Sequence, residues 1–385
     1  MRILHCIVDD KFIDEEINIF EDTKGKHYME YIFIAENKNN HFTYIKNKEL
    51  IRVIPMGESV EYINKGDFDL VILHSLNSIP IDYISKIKNN VKILWKAWGF
   101  DLYRYPNEIR PFIRLKRLKS LTKKYWNKNY KKQRIINLKV FIYDLIYNKR
   151  IKQSIERIDY FSGCLPIEYK LIKDSVPYFK AKHLPFAYFD RKDPFTDEHI
   201  DHYPQLDSYI LVGNAAGVPN NHLDILAKLK CNTTAERKIV LPLNYGGDGK
   251  YIDYVINDAK SYWGDNNIVA LRDFMPKTEY FKLLEKCGYA IFGHEQQAAL
   301  DNIYKMLWQG SKVFLSETSV NFKYFKSIGM IVFSIQSDLT LKSINRSLSM
   351  EEKKNNREVI LKHSSVKDAL NEICNIYTTV EKDKV

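Results

Sequence analysis

Short apolar segments that end in polar residues recur along this chain, separated by longer stretches with helical periodicity. In the first half they are Arg2–Val8, Tyr31–Ala35, Leu50–Ile54, Asp69–Leu73, Val91–Trp95 and Ile158–Ser162. In the second half they are Tyr209–Val212, Lys238–Leu243, Ile268–Leu271, Tyr289–Phe292, Lys312–Leu315 and Met330–Ser334. Apolar strands that are joined by helical crossovers form parallel sheets with both faces buried. The alternation therefore predicts an α/β fold with two successive Rossmann-like domains.

A polar segment, Asp190–Asp207, divides the two series of strands. The chain has 385 residues, which exceeds the size of one hydrophobic core and suits two domains. We therefore predict an N-terminal domain over 1–195, a second Rossmann-like domain over 196–340, and C-terminal helices over 341–385 that pack back toward the N-terminal domain. Because parallel sheets bind ligands beyond the carboxyl ends of their strands, both sheets are expected to face an interdomain cleft.

Positive charge is concentrated in one segment of the N-terminal half. Between Arg104 and Lys152 the chain has sixteen Lys and Arg residues against two acids, a net charge of +14, whereas the whole chain carries +11 and the remainder therefore −3. The segment also contains Trp, Tyr and Leu residues, so several interpretations fit it. It could bind nucleic acid in a non-catalytic protein, dock on an anionic membrane surface, or form a solvated helical face. No nucleic-acid-binding motif accompanies it, and we favour the membrane surface.

The cysteines and the first residues indicate a cytoplasmic protein. Five cysteines are dispersed without paired spacing, as is typical of reduced thiols. The charged residues Asp9, Asp10 and Lys11 interrupt the first apolar segment before a signal-peptide core could form. No run of about 18 uncharged apolar residues is present, so we expect no transmembrane helix and a peripheral position on the inner face of the cytoplasmic membrane.

The sequence offers little support for a bound metal. Asp67-Phe68-Asp69 matches the D-x-D pattern of metal-dependent glycosyltransferases, but it precedes a buried strand and would lie at the opposite edge of the sheet. No other His, Cys or Asp cluster has the spacing of a metal site, and no G-x-S-x-G elbow indicates a hydrolase. We therefore expect neither a metal nor a resident cofactor.

The segment Phe292–Gly310 carries the strongest local signal for a binding site. A strand leads into Gly293 and several polar residues, and the helix that follows stops at Gly310. The amino end of such a helix offers free N–H groups and a positive dipole end, which suit a diphosphate. Polar side chains there could hydrogen-bond sugar hydroxyls, and they are His294, Glu295, Gln296, Gln297 and Asn302. The alternative is a polar cap on an ordinary crossover helix.

Two further loops follow strands of the same predicted sheet. Gly213-Asn214 would let a phosphate approach the backbone closely, and Asn244-Tyr245 precedes a flexible Gly-Gly pair. Neither loop matches a dinucleotide fingerprint or a Walker loop, so each alone is equally consistent with an ordinary strand-to-helix turn. They gain weight because they end strands of one sheet.

Polar residues also follow the strands of the N-terminal domain. Asp9 and Asp10 form an acidic loop after the first strand, and Asp10 could be the general base that activates an acceptor hydroxyl. A solvated turn or a helix cap is the alternative. The other acceptor-side candidates at strand ends are His74, Trp98 and Asp101.

The second half resembles glycosyltransferase family 56, the TDP-N-acetylfucosamine:lipid II N-acetylfucosaminyltransferase family. Four stretches match in order and spacing over residues 211–310, and they are Leu211–Asn214 with Asn221-His222, Leu241–Tyr245 with Tyr251-Ile252, Phe281–Leu284 with Cys287, and Gln296-Gln297 before a helix that ends at Gln309-Gly310. The N-terminal half resembles the family more faintly, with Asp10 in the loop after the first strand.

This resemblance implies a GT-B fold, a nucleotide-sugar donor held mainly by the C-terminal domain, and no essential metal. It implies a dTDP-linked 4-acetamido-4,6-dideoxygalactose donor and a polyprenyl-diphosphate-linked saccharide acceptor, as in surface polysaccharide synthesis. The donor contacts that it implies are Gly213, Asn214, Gln296 and Gln297, then Asn244 and Tyr245, and Phe274 and Met275 near the base. The chain departs from the family pattern at Ala298–Asn302, where a Gly-rich stretch is expected. Another donor, such as a UDP- or GDP-sugar, therefore stays open.

Overall fold

The protein forms two compact units, each described here by itself. The computed structural model describes residues 1–36, 42–104, 113–114, 116–130, 142, 149–186, 195, 201–273, 275–364 and 366–383. The first unit comprises Met1–Arg114, Ile135–Asp193 and Ser364–Val385, and the second comprises Leu115–Arg134 and Pro194–His363. The chain therefore enters the second unit twice.

Strands of the described residues are β1 (Arg2–Ile7), β2 (Tyr28–Ala35), β3 (Ile51–Pro55), β4 (Leu70–His74), β5 (Lys92–Lys96), β6 (Tyr103–Arg104), β7 (Ile113–Arg114), β8 (Tyr160–Ser162), β9 (Lys182–His183), β10 (Ile210–Val212), β11 (Ile239–Pro242), β12 (Ile268–Leu271), β13 (Tyr289–Phe292), β14 (Lys312–Leu315) and β15 (Phe333–Ser334). The first unit has one parallel sheet in the order β3-β2-β1-β4-β5-β8-β9, and β6 pairs separately with β7. The second unit has a parallel sheet in the order β12-β11-β10-β13-β14-β15. The predicted α/β class with two parallel sheets is confirmed.

Helices connect these strands. They are α1 (Ile13–Thr23), α2 (Ser59–Lys65), α3 (Gly99–Leu102), α4 (Ser120–Asn129), α5 (Ile167–Ser175), α6 (His222–Lys230), α7 (Gly249–Trp263), α8 (Lys277–Leu284), α9 (Leu300–Trp308), α10 (Val320–Ser327), α11 (Leu341–Ile344), α12 (Met350–His363) and α13 (Val366–Lys382). Residues 149–156 are also helical. Among the described residues, no helix combines the length and apolar character that a membrane span requires.

The last helix of the chain completes the core of the first unit. Apolar residues of α13, including Ile373 and Ile376, are buried in one cluster with Phe20 of α1 and with the central strands β1 and β4. The hydroxyl groups of Thr23 and Tyr377 lie 3.2 Å apart at the edge of this contact. The predicted C-terminal helices are thus divided, because α12 belongs to the second unit and α13 to the first.

Helix α4 packs on the second unit, although the sequence placed the whole basic segment 104–152 in the N-terminal domain. Leu118, Tyr125 and Trp126 pack against the buried core that α6, α7 and the second sheet form. Thr122 of the same helix is fully buried. The predicted domain was wrong for Leu115–Arg134, which belong to the second unit. Leu118, Tyr125 and Trp126 cover apolar surface of that unit.

Candidate active site

The carboxyl ends of β10 and β13 form a crevice at the point where the strand order of the second sheet reverses. Each strand ends at a glycine. Gly213 has a φ of +72°, and a Cβ there would lie 2.8 Å from side-chain atoms of Asn220 and His222. At Gly293 a Cβ would lie 2.6 Å from the backbone oxygen of Asn220. Only glycine lets both loops close around Asn220, whose Oδ1 accepts a hydrogen bond from the Asn214 backbone at 3.0 Å.

Several buried polar atoms beside this crevice have no hydrogen-bond partner among the described residues. They are Asn214 Oδ1, His222 Nε2, His294 Nδ1 and Gln296 Oε1. An unpaired buried polar group costs about 1–3 kcal/mol, and native proteins leave few of them. These four belong to the residues that directly follow β10 and β13 and to the start of α6, where a polar ligand would supply the missing partners.

The two histidines of the crevice are neutral. Burial lowers the pKa of His222 to about 3, and His294 adds to the effect. Burial also lowers the pKa of His294 to about 4, with a further contribution from the positive charge of Arg117. The other ring nitrogen of His222 lies 3.3 Å from the Tyr251 hydroxyl. Each imidazole can therefore offer one nitrogen to a ligand as a neutral donor or acceptor.

Neutral buried histidines should make the second unit less stable in acid. The unfolded His294 has a pKa near 6.5 and the folded one a pKa of about 4, so the unfolded state binds more protons between these values. Relative to a His294→Asn variant, the wild type should lose about 2 kcal/mol of unfolding free energy between about pH 7.5 and about pH 5. Urea unfolding of both proteins at both pH values measures this. A difference that stays constant with pH would contradict it.

Glu295 is engaged by protein groups rather than left for a sugar. Ser316 Oγ donates to its Oε1 at 2.5 Å, and Thr318 Oγ1 donates to its Oε2 at 2.6 Å. Lys119 Nζ lies 2.6 Å from Oε1 as an ion pair. The side chain is almost fully buried. The sequence predicted contacts with sugar hydroxyls, whereas the structure shows a carboxylate that ties α4 to the end of β14.

The glutamine pair lies in the loop before α9. The helix begins at Leu300 after Ala299, which has a φ of +61°. Gln297 is buried and Gln296 is half-buried. Asn321 Nδ2 donates to the Ala298 backbone oxygen at 2.7 Å and fixes this loop. Asn302 lies in the first turn of α9, near the buried Tyr280 hydroxyl.

The loop after β11 joins the crevice, and the loop after β12 lies farther along the sheet. The Tyr245 backbone oxygen accepts a hydrogen bond from the Ala216 backbone at 2.7 Å, so the loops after β10 and β11 are in contact. The Tyr245 side chain is exposed and Asn244 is half-buried. Met275 is half-buried beyond the edge strand β12. Phe274 lies outside the described residues.

We did not predict from the sequence that residues 116–122 contact the loops after β10 and β13. Asn221 is fully buried, and its Nδ2 donates to the backbone oxygens of Arg117 at 2.9 Å and Gly293 at 2.8 Å. A cavity of about 500 Å³ lies beside this contact, and its lining includes Lys119, Asn221, Asp224, Lys228, Gly293 and Gln336 but none of the residues with the unpartnered atoms described above. The Lys119 backbone donates to Asn221 Oδ1 across 102 positions of the chain, so no local pattern could have shown this contact.

Three of the acceptor-side candidates in the first unit are held by neighbouring groups. Asp9 accepts hydrogen bonds from the backbone of residues 43, 44 and 45 at 2.6–3.2 Å. Asp101 is fully buried and accepts from the backbone of residues 76 and 98 and from the Trp95 ring at 2.6–2.8 Å. His74 is buried between Glu16 and His5. These contacts give Asp9, Asp101 and His74 structural roles.

Asp10 and Trp98 differ from these three. The Asp10 carboxylate accepts a hydrogen bond from the Phe12 backbone at 3.2 Å. Burial raises the pKa of Asp10 above its usual value. Trp98 stacks on the Phe12 ring at 5.5 Å between centroids, and its buried ring nitrogen has no partner among the described residues.

Solved structures with similar folds place the two units in a known class. An α-glucosyltransferase in complex with UDP and a 13-mer DNA containing an HMU base has a TM-score of 0.54 at 11% identity, covering 98% of this chain and 99% of that chain. A glycosyltransferase from Rickettsia africae ESF-5 has a TM-score of 0.59 at 12% identity, covering 99% and 98%. An O-GlcNAc transferase mutant from Thermobaculum terrenum has a TM-score of 0.58 at 11% identity, covering 100% and 68%. At these identities the similarity concerns the fold.

The two parallel-sheet units, with a polar crevice at the strand ends of the second, have the GT-B fold of these glycosyltransferases. The model of the 4-alpha-L-fucosyltransferase family, glycosyl transferase group 56, matches residues 143–347, which is more than half of the chain. The chain belongs to this family. It is a glycosyltransferase that takes its sugar from a nucleotide-sugar donor.

Proposed function

We propose that this enzyme transfers a deoxy-amino sugar of the N-acetylfucosamine type from a dTDP-sugar to a polyprenyl-diphosphate-linked saccharide during surface polysaccharide synthesis. The observation that carries the donor site is the set of unpartnered polar atoms at the ends of β10 and β13. Membership of glycosyltransferase group 56 supports the choice of sugar. The proposal needs no resident cofactor, since the nucleotide sugar is a co-substrate.

The crevice suits a donor that brings hydroxyl and amide groups. Asn214 Oδ1 and Gln296 Oε1 are hydrogen-bond acceptors, and a sugar hydroxyl or an acetamido N–H would supply the donors. His222 and His294 are neutral and add one ring nitrogen each. These two amide oxygens and two neutral imidazoles would hold a sugar in a fixed orientation, and they would place no positive charge beside its anomeric carbon.

The transfer also requires an activated acceptor oxygen. In this proposal Asp10 accepts the proton of the acceptor hydroxyl as that oxygen attacks the anomeric carbon, and the nucleoside diphosphate leaves. The raised pKa of Asp10 makes its carboxylate a stronger base than an exposed one. Phe12 and Trp98 would hold the acceptor saccharide beside it.

A position on the inner face of the cytoplasmic membrane remains part of the proposal and rests on charge. Lys123, Lys124 and Lys128 are exposed on α4, whereas Tyr125 and Trp126 pack on the second unit. Contact with anionic lipid would therefore be electrostatic for this helix, at about 1 kcal/mol per lysine near the surface. The aromatic side chains of α4 pack against the core of the second unit and therefore do not supply the lipid contact.

Nucleotide binding tests the proposal directly. At about 100 times its dissociation constant, dTDP should raise the unfolding free energy by about 2.7 kcal/mol and raise the melting temperature. Gln296→Ala and Gln297→Ala should abolish the additional shift that dTDP-N-acetylfucosamine gives over dTDP, because these side chains would contact the sugar, whereas Gln205→Ala, an exposed glutamine of the same unit, should keep it. UDP and GDP are measured in parallel, and a shift with UDP alone would replace dTDP as the donor nucleotide. If no nucleoside diphosphate shifts melting, the donor site is wrong.

Transfer itself is tested by mass spectrometry with dTDP-N-acetylfucosamine and a polyprenyl-diphosphate disaccharide. The expected product is the acceptor with one added sugar. A matched reaction with the free disaccharide shows whether the lipid diphosphate is required. Transfer to the free saccharide at an equal rate would remove the lipid-linked part of the proposal.

A further inference from the structure

Three buried polar side chains of the first unit, Glu16, His74 and His5, contact one another in a row and are called the Glu16 network below. Oε2 of Glu16 bonds Nδ1 of His74, and Nε2 of His74 lies 3.0 Å from Nδ1 of His5. Each of the three is at most 2% exposed. His5 belongs to β1 and His74 ends β4, and these strands are neighbours in the sheet. The network therefore ties helix α1 to the centre of the sheet.

Stability alone does not account for the Glu16 network. Glu16 Oε1 and His5 Nε2 are buried and have no hydrogen-bond partner among the described residues. A buried polar atom without a partner destabilises the fold, and apolar side chains of similar volume are often at least as stable as a buried polar cluster. The network borders the apolar core, where the Phe20 ring lies 4.5 Å from the His5 ring between centroids. These unpaired atoms indicate a role beyond folding.

The Glu16 network spans the Asp10 loop, which comprises residues 8–12. His5 lies in the strand before this loop, and Glu16 lies in the first turn of the helix after it. The Phe12 backbone donates to the Asp10 carboxylate at 3.2 Å, and the Glu16 backbone donates to the Phe12 backbone oxygen at 3.1 Å. Asp10 is thus attached to the first turn of α1, and the Glu16 side chain fixes that turn against β4.

The other acidic residues in the first turn of α1 have different surroundings. Asp14 accepts hydrogen bonds from the backbone of residues 46 and 47 at 3.0–3.2 Å. Glu15 is half-buried, whereas Glu16 is buried against the central strands. Glu16 is therefore the side chain of this turn through which the sheet holds the Asp10 loop.

We propose that Glu16, held by His74 and His5, positions the Asp10 loop so that the Asp10 carboxylate can take the proton of the acceptor hydroxyl. The inference rests on the proposed function, in which Asp10 is the base. Glu16 and the two histidines are positioning residues and do not touch a substrate. A reacting group that is displaced by about 1 Å can lose about 100-fold in rate, so a support of this kind affects catalysis.

Initial rates of the proposed transfer test this role. Glu16→Met removes the bond to His74 and should lower kcat at least about tenfold, with KM for the dTDP-sugar within about twofold. Glu16→Gln should stay within about threefold of the wild-type kcat, because its amide oxygen can still accept from His74 Nδ1. Glu15→Gln removes a charge from the same turn and should leave kcat unchanged. Melting curves without ligand check the fold, and Glu16→Leu replaces Glu16→Met if that variant does not fold.

A double-mutant cycle shows whether Glu16 acts through Asp10. Because Asp10→Asn already removes the base, adding Glu16→Met should lower kcat by less than about twofold further. A further loss as large as the loss in the wild-type background would overturn the inference. Two other results would also overturn it, namely a Glu16→Met kcat within about threefold of the wild type and a loss in Glu16→Gln as large as that in Glu16→Met.

Failure of the proposed function gives different results. A wild-type protein that transfers no sugar would remove the proposed reaction, and this inference with it. An Asp10→Asn kcat within about threefold of the wild type would remove Asp10 as the base, and again this inference with it. If Asp10→Asn loses about 100-fold while Glu16→Met keeps its kcat, the base stands and the positioning role of Glu16 is wrong.

Discussion

Replacement of Asn221 by alanine should lower the unfolding free energy of the second unit by about 3 kcal/mol or more. The side chain is fully buried and makes four hydrogen bonds to backbone groups, at 2.8–3.1 Å. Its loss leaves those groups without partners in a place that water reaches poorly. Asn221 also has a φ of +56°, a left-handed conformation that asparagine tolerates better than alanine.

Two matched variants separate the causes of this loss. Asn221→Gly relieves the backbone strain and should recover about 1 kcal/mol relative to alanine. Asn221→Asp keeps the shape but turns the donor that faces the carbonyl oxygens of Arg117, Pro219 and Gly293 into a carboxylate oxygen, so it should be at least as destabilising as alanine. Urea unfolding of the four proteins provides the comparison. Unfolding free energies of all variants within about 0.5 kcal/mol of the wild type would show that the hydrogen bonds of Asn221 do not stabilise the unit.

Asp10→Asn should lower kcat by about 100-fold or more, because the amide cannot accept the proton of the acceptor hydroxyl. Affinity for dTDP should not change, since the proposed nucleotide site belongs to the second unit. Because the folded Asp10 has a raised pKa, the acid limb of kcat/KM should lie above the usual carboxyl value of 3.8 and should vanish in the variant. Initial rates of sugar transfer across a pH series measure both effects.

Asp9→Asn is the neighbouring control for Asp10. Asp9 bonds three successive backbone N–H groups of residues 43–45, so its replacement should lower stability and leave the shape of the pH–rate profile unchanged. If Asp10→Asn keeps kcat within about threefold of the wild type, Asp10 is not the base. A reaction that retains the anomeric configuration would then be the simpler explanation.

The fold could be predicted from the sequence because its signals are local. Each buried strand is a short apolar run, and Gly213 and Gly293 follow β10 and β13 directly. The order and spacing of such segments also identified the family, which the match over residues 143–347 confirms. The strands and the glycines that follow them depend on residues close together in the sequence, so the sequence pattern shows them.

The partners of charged side chains could not be predicted in the same way. Asp9, Asp101 and Glu295 each follow a strand, as ligand-binding carboxylates do, yet each is engaged by groups that the fold brings beside it. The position of α4 depends on Asp224 and Asn221, which lie about a hundred positions away along the chain. A sequence pattern predicts whether a polar side chain lies in a strand or in a loop. Its hydrogen-bond partner comes from a distant part of the chain, so only the tertiary structure shows it.

The second unit is discontinuous in sequence, and this limits how such an enzyme can be divided or recombined. A cut at the polar segment near residue 194 separates two contiguous halves of the gene, but the half that encodes β10–β15 lacks the helix that covers part of its core. A chimaera joined there would therefore combine the polar crevice of the second unit with a foreign version of α4. The two halves are expected to be inherited together, because residues 115–134 make the second unit a product of both.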